Sequence, residues 1–188
     1  MKDMLKIILF WAMCLGVFTL MAYMMRPLLT TPATSAPEEQ KFQYLLEHRY
    51  KKKFPESAML AHAFVSAAEH EGIDVMYLLA VCEVESSTLD PQAKSHDGSY
   101  GICGVQPKIW NKKPYNVYDK YENIFQAAYI LAEYNKRRDE LSEEAIKTYN
   151  VGPTGLKTMP AAAERYITKV NKVHADLSLY STAQVDTL

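Results

Sequence analysis

The chain has 188 residues, of which 48% are hydrophobic and 23% are charged, with a formal net charge of -1. A chain of this length carries one domain of ordinary size, which excludes a large multidomain enzyme. The 21 basic and 22 acidic residues are nearly balanced, so we expect no nucleic-acid partner, because binding duplex DNA needs a clustered basic surplus. The mean hydropathy of -0.21 resembles that of a soluble protein, but the apolar residues are unevenly distributed.

Residues 7–25 contain no charged side chain, and with the apolar residues just before them they would, as a helix, be long enough to cross a hydrocarbon core of about 30 Å. A signal peptide would have a shorter apolar region and a nearby cleavage site, whereas Arg26 and Pro27 follow here, so an uncleaved anchor is favoured over a cleaved signal. The basic residues before the span favour a cytoplasmic N-terminus. We therefore predict a single-pass anchor at residues 1–26 in the inner (cytoplasmic) membrane, with the remaining chain in the periplasm or outside the membrane.

Residues 27–37 hold three prolines, four hydroxyl residues and no charge, a composition typical of an extended, semi-rigid linker. The folded domain is then predicted at residues 38–188. Its apolar residues recur at helical spacing and predict six helices. Their approximate ranges are 42–49, 55–70, 74–87, 119–138, 142–149 and 160–177.

Local signals mark several ends of these helices. Asp74 and Ser142 are predicted N-caps, and Pro160 suits the first turn of the last helix. Gly152 and the residues after it are expected to break the fifth helix. Because no stretch alternates convincingly at period two, the sequence predicts a mainly α domain with at most a small hairpin around residues 98–105.

A carboxylic acid lies on the apolar side of the third predicted helix. At about 100° per residue, Glu85 falls between Leu78 and its other apolar neighbours, while Glu83 points to the opposite side, where it would be solvated or paired. A carboxyl group held against apolar neighbours has a raised pKa and can act as a general acid near neutral pH. The alternative is that Glu85 lies beyond the packed part of the helix and reaches water.

Three motifs around and after Glu85 resemble the soluble-type lytic transglycosylases, whose lysozyme-like fold is shared with goose-type lysozymes. The likeness covers approximately residues 55–172. Glu85, Ser86 and Ser87 are similar to the family's Glu-Ser motif, whose glutamate is the single catalytic acid and base. Residues 149–153, YNVGP, are similar to a Tyr-Asn-Ala-Gly-Pro segment, whose tyrosine hydrogen-bonds near that glutamate and whose backbone borders the sugar groove. Residues 123–124 and 165–167 resemble weaker flanking signals of the same family.

Residues 98–107, GSYGICGVQP, resemble the family's glycine-rich motif Gly-x-x-Gly-x-x-Gln, which is followed by a proline three residues later. Gly104 occupies the position of the glutamine, and Gln106 lies two residues further on. This departure predicts either weaker substrate positioning or a partial replacement by the Gln106 amide.

The resemblance implies that the protein cleaves the bond between N-acetylmuramic acid and N-acetylglucosamine in peptidoglycan without water, metal or cofactor. Glu85 would protonate the glycosidic oxygen and then deprotonate the C6 hydroxyl, which leaves a 1,6-anhydromuramyl end. The implied substrate-binding residues come from the three motifs. They are Ser86, Tyr100, Gly101, Gln106, Tyr149 and Asn150.

The expected partners are glycan strands, the membrane through residues 1–26, and a secretion or phage assembly machine that needs the wall opened locally. Two other functions stay open. If Asp97 faced Glu85 across a water molecule instead of only forming a turn, hydrolysis would become possible, since classical hydrolases use two carboxylates. The second hypothesis is therefore a hydrolytic muramidase of the same fold that acts as a lysis protein. The absence of glutamine at Gly104 motivates the third hypothesis, a catalytically weak wall-binding assembly subunit.

The resemblance folds the glycine-rich motif over the face that carries Cys82, so an oxidising compartment would allow Cys82 and Cys103 to pair. Two buried free thiols are the equal alternative. No histidine has a visible partnership with either cysteine, and the sequence has no HExxH or CxxC spacing for zinc. Trp110, like Tyr100 and Tyr149, is a candidate for stacking on a sugar ring.

Overall fold

The computed structural model describes residues 37–110, 115–136 and 140–182, with side chains up to residue 179. Within these ranges the chain forms seven helices: α1 Pro37–Arg49, α2 Glu56–Glu71, α3 Val75–Glu85, α4 Pro107–Trp110, α5 Lys120–Tyr134, α6 Glu143–Thr158 and α7 Pro160–Thr182. The predicted anchor at 1–26 and the linker up to residue 36 lie outside the described residues. None of the seven helices is both long and apolar enough to cross a bilayer.

The mainly helical prediction is confirmed for the described part of the chain. In place of a hairpin, two isolated antiparallel bridges join Tyr100 to Lys94 and to Val105. These bridges lie where the sequence predicted at most a small hairpin, and they fold the glycine-rich segment, residues 98–107, back on itself. The architecture is consistent with a lysozyme-like helical domain.

Side-chain caps fix the starts of α3 and α6. Asp74 accepts hydrogen bonds from the backbone N–H groups of Met76 and Tyr77, and Ser142 accepts one from that of Ala145. Both predicted caps are therefore confirmed; each satisfies N–H groups that have no partner within the helix.

Several helix limits differ from the prediction. Helix α1 begins at Pro37, which was predicted to be the last residue of the linker, and α7 runs to Thr182 instead of residue 177. Helix α5 ends at Tyr134 and not near residue 138, because Asn135 takes the capping position. The predicted break at Gly152 is confirmed, since its φ of 70° and ψ of 170° are not helical, and a further helical stretch of α6 follows it up to Thr158. Helix α4 was not predicted, since a single turn carries too few residues for a periodic signal.

Helix α3 lies in the core of the helical domain. It contacts α2, α5 and α7, and five consecutive residues from Leu78 to Cys82 are buried. A helix that is apolar on all sides is a core helix, so the prediction of one inward face was too narrow. Since the buried run stops three residues before Glu85, the helix delivers this carboxyl to the edge of the core.

Glu83 was predicted to be either solvated or paired, and the structure shows that it is paired. The Arg49 guanidinium donates to both of its carboxylate oxygens at 2.8 and 3.0 Å, and the Tyr50 hydroxyl donates to one of them. The side chain of Glu83 is 16% exposed. This network fastens the end of α1 to the face of α3 away from Glu85.

Candidate active site

Glu85, the last residue of α3, is partly buried. Burial raises the pKa of Glu85 to about 7; a hydrogen bond from Tyr166 opposes this rise, and the negative charge of Asp97 adds to it. At neutral pH the protonated and ionised forms are therefore both well populated. A group with this property can donate a proton and later accept one, which is what acid and base catalysis by a single residue requires.

Tyr166 on α7 orients the carboxyl group of Glu85. Its hydroxyl donates to Oε1 of Glu85 at 2.7 Å, and only 6% of Tyr166 is exposed. Burial and the neighbouring Glu85 charge raise the pKa of Tyr166 well above its usual value, so the hydroxyl keeps its proton. In the sequence, Tyr166 belongs to the weak flanking signal at residues 165–167.

Gly104 brings the backbone of the glycine-rich segment against the same carboxyl group. A Cβ atom on Gly104 would lie 2.5 Å from Oε2 of Glu85 and 2.9 Å from its Cβ and Cδ atoms. Gly104 also has a φ of +64°, a left-handed conformation that suits glycine. The space that a side chain at this position would need is thus occupied by Glu85.

A disulfide joins Cys82 to Cys103, with their Cα atoms 4.0 Å apart. The sequence left open a disulfide or two buried free thiols, and the structure contains the disulfide. The backbone N–H of Cys103 donates to Oδ1 of Asn123 at 2.9 Å, and the hydroxyl of Tyr149 donates to the Cys103 carbonyl at 2.7 Å. Tyr149 therefore reaches the residue next to Gly104, close to Glu85.

Asn123 on α5 is a second residue whose importance the sequence understated. It is fully buried, and its amide donates to the carbonyl oxygens of Tyr100 and Val117 at 3.0 and 2.8 Å. A Cβ on Gly101 would lie 2.6 Å from the Asn123 amide nitrogen. Gly101, a predicted substrate-binding residue, thus allows close packing between α5 and the glycine-rich segment.

The other predicted substrate-binding residues make contacts with protein groups. The Ser86 hydroxyl accepts from the backbone N–H of Asp90 at 2.8 Å, which closes the turn after α3. The hydroxyl of Tyr100 donates to Gln92 at 2.7 Å. Asn150 is exposed on α6, and Trp110 packs edge-on against the partly buried Tyr129 and Tyr134. Their roles in substrate binding remain predictions.

Asp97 provides a second carboxylate near the first. Hydrogen bonds, chiefly from the Ser95 hydroxyl, lower the pKa of Asp97 below its usual value, so it is ionised at neutral pH. The Gln106 amide donates to its other oxygen at 3.2 Å. Asp97 is exposed, yet its charge contributes to the raised pKa of Glu85. In the described ranges, no three His, Cys, Asp or Glu side chains form a group that could hold a metal ion.

Comparison with known families gives one match. Residues 62–171 match the family model described as the transglycosylase SLT domain. The match covers more than half of the chain and includes Glu85, the glycine-rich segment, Tyr149 and Tyr166. No curated protein matches the chain significantly.

Proposed function

The chain belongs to the transglycosylase SLT domain family, and from this premise we propose that it cleaves the β-1,4 bond between N-acetylmuramic acid and N-acetylglucosamine to leave a 1,6-anhydromuramyl end. Membership of the family supports lytic transglycosylase activity on peptidoglycan in general. The observation that carries the finer proposal is the environment of Glu85, a partly buried carboxyl with a pKa of about 7 and a hydroxyl donor at 2.7 Å.

The two halves of the reaction make opposite demands on this carboxyl group. Protonated Glu85 first donates to the glycosidic oxygen while the sugar's own N-acetyl oxygen stabilises the developing cation. The resulting carboxylate, held by the Tyr166 hydroxyl, then removes the proton of the C6 hydroxyl, which attacks C1. A pKa near the working pH serves both proton transfers, because neither protonation state is strongly disfavoured.

Digestion of purified cell-wall sacculi tests the proposal. The full chain should release muropeptides with anhydro ends, identified by mass spectrometry. Glu85→Gln should lower the rate by orders of magnitude, because both proton transfers use this group. Glu83→Gln is the matched control, since it changes the same residue type two positions earlier on the same helix, and it should leave the rate close to that of the parent. A Glu85→Gln protein as active as the parent would refute the assignment of the acid.

Hydrolysis by a muramidase mechanism is the second candidate, and the electrostatic influence of Asp97 on Glu85 favours it. An ionised second carboxylate would position and activate a water molecule. In that case the products carry reducing ends and Asp97→Asn abolishes them. If the protein is a transglycosylase, Asp97→Asn keeps the anhydro products. It also lowers the pKa of Glu85, because a neighbouring negative charge is removed. Release of no soluble fragment at all would instead support the wall-binding assembly subunit.

We further propose that residues 1–26 anchor the enzyme in the inner membrane with its catalytic domain on the periplasmic or outer side, where it opens the wall locally for a secretion or phage machine. The Cys82–Cys103 disulfide supports export, since such bonds persist in oxidising compartments. A reporter fused after residue 40 tests the topology. A cytoplasmic reporter signal would contradict the proposal, because it would separate the enzyme from its substrate.

A further inference from the structure

The disulfide joins the two parts of the chain that enclose the Glu85 carboxyl group. Cys82 lies three residues before Glu85 on α3, and Cys103 directly precedes Gly104, whose backbone contacts that carboxyl. Both cysteines are fully buried. The Cys82 carbonyl also accepts the backbone N–H of Ser86 at 2.8 Å, so Cys82 belongs to the last turn of α3, the turn that ends at Glu85.

The other links on Cys103 lead to other helices. Its N–H group is bound by Asn123 of α5, and its carbonyl by Tyr149 of α6. Of these three links, the disulfide alone reaches α3. If it is removed, the glycine-rich segment stays attached to α5 and α6 while its distance from the end of α3 is no longer fixed by a covalent bond.

We propose that the Cys82–Cys103 disulfide is a positioning element for Glu85, so that the active site is assembled only in the oxidised protein. The inference rests on the proposed function, since it concerns the same carboxyl group. Its physical basis is that the packing contact of Gly104 on Glu85 is sensitive to displacements below 1 Å. The covalent bond between the buried Cys82 and Cys103 prevents such displacements of the glycine-rich segment relative to α3.

The chemistry of the switch is simple reduction. A dithiol reductant breaks the S–S bond, supplies two electrons and two protons to give two thiols, and becomes a cyclic disulfide itself. In the reduced protein the glycine-rich segment moves away from α3 and water reaches Glu85. Because burial is the largest cause of the raised pKa of Glu85, that pKa then falls towards its usual value and the group is mostly ionised at neutral pH. Newly made chains in a reducing cytosol would therefore be poor wall-cleaving enzymes until export.

The test uses the full chain carrying Cys14→Ala, which removes the third cysteine, in its oxidised, reduced and reoxidised forms. Thiol alkylation and mass measurement establish the state of the bond, and circular dichroism follows helicity. Digestion of sacculi gives kcat, KM and the pH profile. We expect reduction to lower kcat about 100-fold, as for a misplacement of about 1 Å, with KM changed less than about threefold and helicity retained.

The pH profile separates positioning from general weakening of the fold. Activity needs protonated Glu85, so it falls as the pH rises through the pKa of that group; in the reduced protein this descending limb should move to lower pH. Reoxidation should restore the parent profile. The double variant Cys82→Ala with Cys103→Ala should reproduce the reduced enzyme and be insensitive to the dithiol.

Three results would overturn the inference. Reduced protein with unchanged kcat and an unchanged pH profile would show that the bond does not position Glu85. Loss of helicity in step with activity, or failure of the double variant to fold, would show that the bond holds the whole fold. An oxidised protein that releases no wall fragments would overturn the proposed function and the inference together, whereas an active protein indifferent to reduction overturns the inference alone.

Discussion

Replacing Gly104 by alanine would place a methyl group where the Glu85 carboxyl now lies. The new Cβ would be 2.5 Å from Oε2 of Glu85, whereas ordinary contacts begin at 3.4 Å. The carboxyl must therefore move by about 0.9 Å, and the contact of 2.9 Å with Cβ of Glu85 prevents a simple rotation of the carboxyl end from relieving the overlap. A displacement of about 1 Å costs about 100-fold in rate, which corresponds to about 2.7 kcal/mol in activation free energy.

Alanine at this position also has a backbone cost, and a matched variant measures it separately. The left-handed conformation at a φ of +64° destabilises a residue with a side chain by about 1–2 kcal/mol. Gly72 has nearly the same φ, +66°, but a Cβ there would meet no atom within 4 Å. We expect Gly72→Ala to lower the free energy of unfolding by this amount and to leave kcat at the parent value.

The assay compares the two variants in sacculus digestion and in thermal unfolding followed by circular dichroism. Gly104→Ala should lose both stability and kcat, and Gly104→Gln, which restores the residue found at this position in the resembling family, should lose activity at least as strongly. Parent-like kcat in Gly104→Ala would refute the reasoning from the close contact. Equal losses of kcat in Gly104→Ala and Gly72→Ala would attribute the effect to backbone strain alone.

Three further predictions concern the carboxylates and the tyrosine that binds one of them. Glu85→Gln should raise the free energy of unfolding above pH 7 by up to about 3 kcal/mol and change it little at pH 4, because the unfolded chain ionises at a pH near 4.5 and the folded one at about 7, so the parent loses stability as the pH rises between these values; urea unfolding at both pH values checks this. Tyr166→Phe should lower kcat about 10- to 100-fold, as expected for loss of a hydrogen bond to a charged group, and should move the descending limb of the pH profile to higher pH, since that bond lowers the pKa of Glu85; an unmoved limb would contradict its role. Glu83→Gln should lower the free energy of unfolding by about 2 kcal/mol, because the Arg49 guanidinium loses the nearer of its two carboxylate partners and keeps only Asp176 at 3.9 Å, while activity stays within about twofold of the parent.

Local chemistry made the helix starts and the approximate place of Glu85 predictable. The Asp74 and Ser142 caps depend on a side chain and on N–H groups two or three residues away, so sequence spacing is sufficient to find them. The apolar surroundings of Glu85 followed from its helical phase. That phase could not show that α3 is covered on all sides, because the covering helices come from distant parts of the chain.

Contacts between distant residues account for what the sequence left open. Tyr166 lies 81 residues after Glu85. Its position in the apolar stripe of α7 predicts a core residue and gives no sign of the hydrogen bond to Glu85. Gly104 differs from the glutamine of the resembling family, and the sequence could interpret this only as a missing amide. The contact with Glu85 explains why position 104 has no side chain, but this contact becomes visible only once α3 and the glycine-rich segment are placed side by side.

Glu83 and Glu85 illustrate how one helix gives two identical side chains different chemistry. Side chains two residues apart on a helix point to nearly opposite sides. Here Glu83 meets Arg49 and Tyr50, while Glu85 meets Gly104 and Tyr166. The Arg49 guanidinium compensates the charge of Glu83, and this ion pair holds the end of α1 against α3. Glu85 accepts a hydrogen bond from a neutral hydroxyl. Burial outweighs this bond and the positive charge of Lys169, so the ionised form of Glu85 is disfavoured and its proton becomes available. Exchanging these surroundings, rather than the residues, would exchange the roles, since the environment and not the residue type decides which carboxyl is the acid.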